Sequence, residues 1–592
     1  MSRVASSADK ASIALRIIDC CLREDIRGLL SQGQVRDLPA ELANHWPGAP
    51  VQDWLCVNHL GSGELWLPLR RGGPLQAWSA EGDSWLWQQP DGARVEQGYD
   101  RWLEHLGHGL DAESLALFAA YRDEADCAAL HRGLCREAYQ AQASSLAKIL
   151  DEQSWGQRLL GIDRIASYLD HPFYPTARAK SGFDQAALQG YAPEFAPRFT
   201  LNWLAVPKSD LRLSSPAPAH WPSFGELGLD VDLVTSHVLL PVHPLTWPML
   251  EQYGLPAGSL KAPRSALLVE PTLSVRTLVC VEHPHCHIKL PLLVSTLGAR
   301  NLRLIKPSTL YDGHWFQTTL QALAVRDPAL GQRYLHVDEL HGGHAGEHKH
   351  LAYIVRRYPA ELAEATLVPV AALASPLPDG RLFLEALVER FHAGDLQAWL
   401  SDYLDLLLQV HLRLWLRYGI ALEANQQNAV LILQSGQPIR LLMKDNDAAR
   451  LWPERFAQAC PDRASLPAAL RDERIRVDDS QPLAEMFCTI TLQLNMVAPL
   501  EAIADAGLAP RESLYAILRQ RLLACIEQLE GEGLDCGEAR RFLLDSPTLP
   551  VKYLLSAGSL FSKAQSGARD INKFYGYSAA NFLLEAQSCR AD

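Results

Sequence analysis

The sequence predicts an α+β protein of several regions, in which antiparallel sheets are flanked by helices. Three observations carry that expectation. At 592 residues the chain is longer than a single growing core, so on the order of two to four domains is expected. Helix-like apolar spacing alternates along the chain with short period-two runs broken by glycine and proline, the marks of helices and strands respectively. The composition, 48% hydrophobic and 21% charged, is that of a chain that folds.

Taken in order, residues 9–32 carry helical spacing, and "DWLCVNHLGSGELWLPLRRGGPLQAWSAEGDSWLWQQPDG" reads as strands and hairpins. Helical pattern returns over 113–169 and stops at "LDHPFYP", where two prolines forbid continuation. From there to about residue 380 the chain is β-rich, with the strand-like runs "HVLLPV", "ALLVE", "VRTLVCVE" and "IKLPLLVS". "ASPLPDG" makes a break, and the remainder is mostly helical around one β-hairpin.

Composition also excludes. A net charge of 55 − 68 = −13 argues against nucleic-acid binding, so an anionic ligand needs a local basic pocket. The start of the chain lacks a signal-peptide core, and no stretch reads as the roughly 20 apolar residues of a membrane span; a cytoplasmic, membrane-free protein is expected. The 12 cysteines show no CxxC pair, which argues for buried thiols over disulfides or a thiolate zinc site. The histidines at 283, 285, 287, 341, 344, 348 and 350 invite a metal reading, but no HExxH spacing exists; the second, Gly-rich tract is expected to be a mobile loop over a cleft.

The richest polar cluster is "YGIALEANQQNAVLILQSGQPIRLLMKDNDAAR" at residues 418–450. A helix ends at Tyr418-Gly419, glycine being favoured just past a helix C-terminus. A loop with Glu423 and Asn428 then leads into two strands and "KDND". In protein kinases a catalytic carboxylate precedes a metal-binding Asn by five residues, and a magnesium-binding Asp follows a short hairpin. Glu423, Asn428 and Asp445 repeat that order, which suggests a Mg-nucleotide site; turn-capping amides are the bland alternative. Upstream, "EPTLSVRTLVCVEHPHCHIKLPLLVSTLGARNLR" supplies Ser274, Arg276, Thr277, Lys289 and Arg300. Strand alternation would put Ser274 and Arg276 on one face, a suitable phosphate cradle. "YLDHPFYPTARAKSGFD" adds His171, Arg178 and Lys180 as a third candidate anion pocket.

Together these elements resemble the NRPS-independent siderophore synthetases of the aerobactin-synthetase (IucA/IucC-like) type. "HPFYPTARAKSG", "PVHPLTW", "SVRT" and "YGIALEANQQN" match the family's motifs in order over roughly residues 160–450. Tyr174 and Asn425 stand where the pattern has histidines, and Arg178 and Lys180 are swapped in type. The resemblance implies a cupped hand of three regions: a thumb-like 1–160, β-rich fingers 161–380 with ATP phosphate contacts, and a helical palm 381–592 with a kinase-like nucleotide hairpin. It implies a ligase that uses ATP and Mg²⁺ to adenylate citrate or a related acid, then condenses it with an amine or hydroxyl; a homodimer is a further expectation. His171, Arg276 and Arg300 would be catalytic. Ser274, Arg276, Thr277, Lys289, Arg300, Asn425, Gln427, Asn428 and Asp445 would hold ATP, and Glu423, Asn428, Asp445 and Asp447 the metal. A kinase-like phosphotransferase or a non-catalytic citrate- or siderophore-binding homologue stands as the alternative.

Overall fold

The computed structural model describes residues 4–214, 216–296, 298, 301–445, 447–567 and 574–584. Helix α1 (Ser7–Arg23) starts where Ser6 Oγ accepts from the N–H of Asp9, and α2 (Ala112–Leu146) where Asp111 accepts from Ser114, so each cap satisfies a donor the helix leaves orphaned. Both helices share a core with an antiparallel six-stranded sheet spanning residues 34–97. The helical pattern of 113–169 is two helices, because the chain turns at 147–154 before α3 (Trp155–Ser167).

The middle of the chain builds a nine-stranded, wholly antiparallel sheet. Strands β1 (Ala266–Pro271), β2 (Thr277–Cys280) and β3 (His283–Lys289) run side by side in it. After α4 (Pro307–Arg326), β4 (Asp338–Ala345) and β5 (Ala352–Arg357) complete that side, β5 pairing with β3. The His/Gly tract expected as a mobile loop is therefore largely strand β4, with His341 and His344 buried at 1% and 5% exposure. Its glycines serve packing: a Cβ on Gly343 would lie 2.6 Å from Leu213 and one on Gly342 2.8 Å from the Tyr353 carbonyl oxygen.

Helix α5 (Leu396–Tyr418) runs through the largest core and ends as its sequence indicates. Gly419 takes φ 62° and donates to the carbonyls of Leu414 and Trp415. A side chain there would meet the Trp452 carbonyl oxygen at 2.9 Å. The hairpin β6 (Ala429–Leu433) and β7 (Arg440–Met443) follows, flanked by Thr366–Pro369 antiparallel to β6 and Tyr334–His336 parallel to β7.

One helix, Gln481–Asp505, is long and apolar enough to cross a membrane, contrary to the sequence expectation, but 83% of its most apolar window is buried inside the protein. Its central part, Phe487–Val497, is π-helical and buried at every residue. Beyond it α6 (Arg511–Gly531) packs along α5, and Thr548–Lys552 pairs antiparallel with Tyr575–Ala580.

Candidate active site

A cleft of about 680 Å³ gathers residues from the loop after α3, the β1–β2 turn, β3, the start of α4, the loop before β6, the end of β7, the π-helical stretch and Lys552. The loop before β6 is held from two sides. Asn425 Oδ1 accepts from the N–H groups of Gln427 and Asn428, both at 3.1 Å. From the π-helical stretch, Asn495 Nδ2 donates to the Ala424 carbonyl at 2.5 Å, while Gln426 Nε2 donates to the Leu494 carbonyl at 2.8 Å. Glu423, Asn425, Gln427 and Asn428 all line the cleft. The turn-capping role of an Asn and the ligand-facing position of the loop thus coexist.

Asn428 adjoins β6 and Asp445 lies just past β7, and Ala429 pairs with Met443, so the two lie at one end of the hairpin. Asp445 sits in the left-handed region at φ 60°. Its carboxylate meets Lys289 Nζ at 2.5 Å and Arg356 at 3.1 Å, and Arg356 pairs with Glu339 at 2.7 Å. Burial alone would raise the Asp445 pKa; Lys289 and then Arg356 override it and hold the group well below the usual carboxylate range. Asp447 is held above that range by burial, with Asp445 adding to the effect. Two buried carboxylates of opposite tendency thus lie close together, an environment that favours an added cation.

Ser274 and Arg276 do not lie on one face of a strand. Residues 272–276 form the turn between β1 and β2, and Val275 takes φ 65°, a region a β-branched residue rarely enters. The turn is closed by Ser274 Oγ donating to Thr277 Oγ1 at 2.7 Å and accepting from the Thr277 N–H at 3.1 Å. Strand alternation fails here because the hydroxyls bond to their own backbone neighbourhood. Thr277 is fully buried behind Ser274 and does not line the cleft. Arg276 donates from one guanidinium nitrogen to the Leu304 carbonyl at 2.7 Å, while its buried Nε has no partner. Burial, then the neighbouring Arg303, pulls the Arg276 pKa down to about 9, so an anion beside it would be stabilised.

His171, in the loop after α3, also lines the cleft. Its Nδ1 accepts from the N–H groups of Phe173 and Tyr174, each at 3.1 Å, which leaves the proton of the neutral ring on Nε2. Burial first, then Lys552, Arg23 and Arg16, lower its pKa to about 3, so the ring is a neutral donor at physiological pH. Arg178 and Lys180 also line the cleft, but they are not a ready anion pocket. Arg178 Nε donates to Asp170 at 2.9 Å and Lys180 Nζ to Glu194 at 2.5 Å. Tyr174 is buried away from the cleft, donating to Glu124 at 2.7 Å.

Of the expected residues, His171, Ser274, Arg276, Lys289, Glu423, Asn425, Gln427, Asn428, Asp445 and Asp447 converge on the cleft; Arg300 lies outside the described residues. The sequence reading missed Arg303, which faces Asp445, Asp447 and Glu423, and the buried Glu339–Arg356 pair behind Asp445. It also missed the first turn of α4, where Lys306, Ser308 and Thr309 line the cleft. "KPST" ahead of a helical run, with Pro at the first helical position, is the signal that marks this helix start.

The fold is similar to that of solved aerobactin synthetases. The sequence model of the IucA / IucC family matches residues 163–375, and one described as "Ferric iron reductase FhuF-like transporter" matches residues 397–566. Staphyloferrin B synthase of Staphylococcus aureus is 25% identical over 459 residues, 71% of this chain and 76% of that protein. The L-2,3-diaminopropanoate–citrate ligase of the same organism is 29% identical over 308 residues, 47% of this chain and 52% of that one. The ATP-bound structure of aerobactin synthetase IucA from Klebsiella pneumoniae superposes with a TM-score of 0.66 at 18% identity, covering 97% of this chain and 99% of that one. Over residues 163–375 the chain is thus similar to the IucA / IucC family, and its whole fold to that of a solved member.

Proposed function

We propose that this chain is an ATP-dependent ligase of siderophore biosynthesis that adenylates a carboxylate of citrate or a related acid and transfers the acyl group to an amine or hydroxyl. The carrying observation is the cleft's charge layout. Arg276 with its unpartnered Nε, Arg303 and the N-terminus of α4 line the same cleft as Asp445, Asp447, Glu423 and Asn428, so cationic groups stand beside an oxygen set. The similar proteins, a citrate ligase and an ATP-bound synthetase among them, support the choice of substrates.

In this reading Arg276, Arg303 and the α4 amides bind the ATP phosphates, a role suited to guanidinium groups and helix N-termini. Glu423, Asn428, Asp445 and Asp447 are a hard oxygen set of the kind Mg²⁺ takes, and the raised pKa of Asp447 fits a site that gains from a cation. Mg²⁺ bound there would neutralise charge on the pyrophosphate leaving group. A substrate carboxylate oxygen attacks the α-phosphorus, and the bond to pyrophosphate breaks. The amine then attacks the acyl carbon and AMP departs. His171 donates from Nε2 to an oxygen that gains charge and takes no proton, since its Nδ1 lone pair is already occupied. Lys289 keeps Asp445 ionised and oriented.

Acid-dependent release of pyrophosphate and AMP from ATP, measured with citrate and related acids at limiting Mg²⁺, tests the reading. ADP as the product would assign a phosphotransferase, and no acid-dependent nucleotide product would leave a binding protein.

A further inference from the structure

We propose that a thiophilic divalent cation of the zinc type binds outside the cleft, between Cys280, Cys286 and His220. One ligand atom from each of these residues lies within 4.8 Å of the others. Sequence spacing argued against such a site, because five residues separate the cysteines and His220 lies sixty residues upstream of Cys280. The fold removes that objection. β2 and β3 pair from Thr277–Lys289 to Val279–His287, and the register then shifts so that Cys280 faces His283. The extra residues at this end of the hairpin bring both sulfurs under the segment that carries His220.

That segment is anchored by the next residue. Trp221 packs edge-on against Trp203 at 5.1 Å and against Tyr353 at 5.0 Å. His283 stacks on His220 with ring centroids 4.3 Å apart. Cys280 is 0% and Cys286 6% exposed, so neither sulfur is a surface thiol. His220 Nε2 is itself buried and has no hydrogen-bond partner among the described residues, a lone polar atom that a buried site normally satisfies.

The chemistry selects the ion. Two sulfurs and an imidazole are the soft donor set that zinc prefers and magnesium or calcium does not. Bonds of about 2.3 Å to sulfur and about 2.0 Å to nitrogen can be met by three atoms that lie within 4.8 Å of one another. Binding converts both thiols to thiolates and releases two protons, and the fourth position is left to water or to His283. Arg357 is the β5 partner of Cys286, a cation positioned to steady an anionic sulfur. None of the three ligands lines the cleft. Lys289 lies three residues along β3 from Cys286, about 10 Å at strand rise, so the ion would brace the far end of the hairpin that presents Lys289 to Asp445.

The reduced, metal-free full-length chain is titrated with Co²⁺ and then Zn²⁺. The expected result is one equivalent bound per chain, a thiolate-to-cobalt charge-transfer band that Zn²⁺ abolishes, and release of about two protons per ion. His220→Ala, on a half-buried segment that leaves the sheet intact, and Cys286→Ala should each weaken binding at least about tenfold, with circular dichroism confirming that both variants fold. Absence of the band in the unmodified reduced chain overturns the site, as does an affinity in both variants equal to that of the unmodified chain. So does a chain that binds no Co²⁺ but oxidises readily to a Cys280–Cys286 disulfide.

Discussion

On one wall of the cleft Arg178 and Lys180 are bonded to Asp170 and Glu194. On the other, the β1–β2 turn, Arg276 keeps a buried Nε without a partner, and Arg303 adds a second guanidinium beside it. Both walls carry basic residues in recognisable motifs, yet only one has positive charge to offer a ligand. A cation in a motif is evidence for an anion site only after the carboxylates around it have been counted, because a buried pair is already neutral and costs several kcal/mol to break.

Arg178→Met draws that contrast most sharply. It leaves Asp170 with Arg132 as its remaining partner and the Ser167 and Tyr168 carbonyls without their guanidinium donor, and should lower unfolding stability by about 3 kcal/mol, read from denaturant melts, while turnover per folded molecule holds within a fewfold. Unchanged stability with a raised KM for ATP would reverse the assignment of the two walls.

Arg276→Ala should do the opposite, costing about 1.5 to 3 kcal/mol of transition-state stabilisation, or roughly ten- to over a hundredfold in kcat/KM, with little change in stability. Arg276→Lys should recover only part, since the planar fork is lost. Parent-rate pyrophosphate release by the Ala variant would remove Arg276 from the site.

Acid should weaken the fold through its buried histidines, those near the cleft among them. His171 and His131 are neutral in the fold, with pKa values lowered to about 3 and about 4, mainly by burial, against about 6.5 in the unfolded chain. Their contribution to stability is complete above pH 6.5 and declines as pH falls toward those lower values, by about 1.4 kcal/mol per pH unit for each ring. Denaturant midpoints at pH 7 and pH 5 measure the slope; His171→Gln should flatten it.

The smallest effect concerns Asn425. Replacing it by Ala removes the acceptor for two backbone N–H groups and should cost about 1 kcal/mol, near fivefold in KM for ATP. Asn425→Asp keeps the acceptor and should lose less. Equal losses in the two variants would mean that the side-chain NH₂, rather than the turn, is what the nucleotide needs.

Where the sequence was legible, the signal was local. Gly419, the β6–β7 hairpin and the order Glu423, Asn428, Asp445 follow from residues within reach of one another along the chain. The failures have a common physical origin in distance or in exceptional backbone. Glu339 and Arg356 come from strands about ninety to a hundred residues before Asp445, and nothing near either one announces the ion pair. "SVRT" reads as a strand unless Val275 is allowed a left-handed conformation that its side chain disfavours. The helix Gln481–Asp505 hides its apolar character behind Thr489, Thr491, Gln493 and Asn495, all buried, of which Gln493 and Asn495 bond the Pro550 and Ala424 carbonyls.

Val275 ties the cleft to a distant packing problem. Its backbone sits where a β-branched residue is strained by about 1 to 3 kcal/mol, and its side chain is plugged, 6% exposed, into a small cluster with Leu134 of α2, Phe183, Leu292 and Val294. That plug keeps the turn from relaxing. Shaving Leu134, on a helix that does not line the cleft, would give the turn slack and let Arg276 swing. Among chains that still fold, temperature-sensitive lesions in this protein should therefore include hydrophobic positions on α2 that mimic the loss of Arg276 from the cleft.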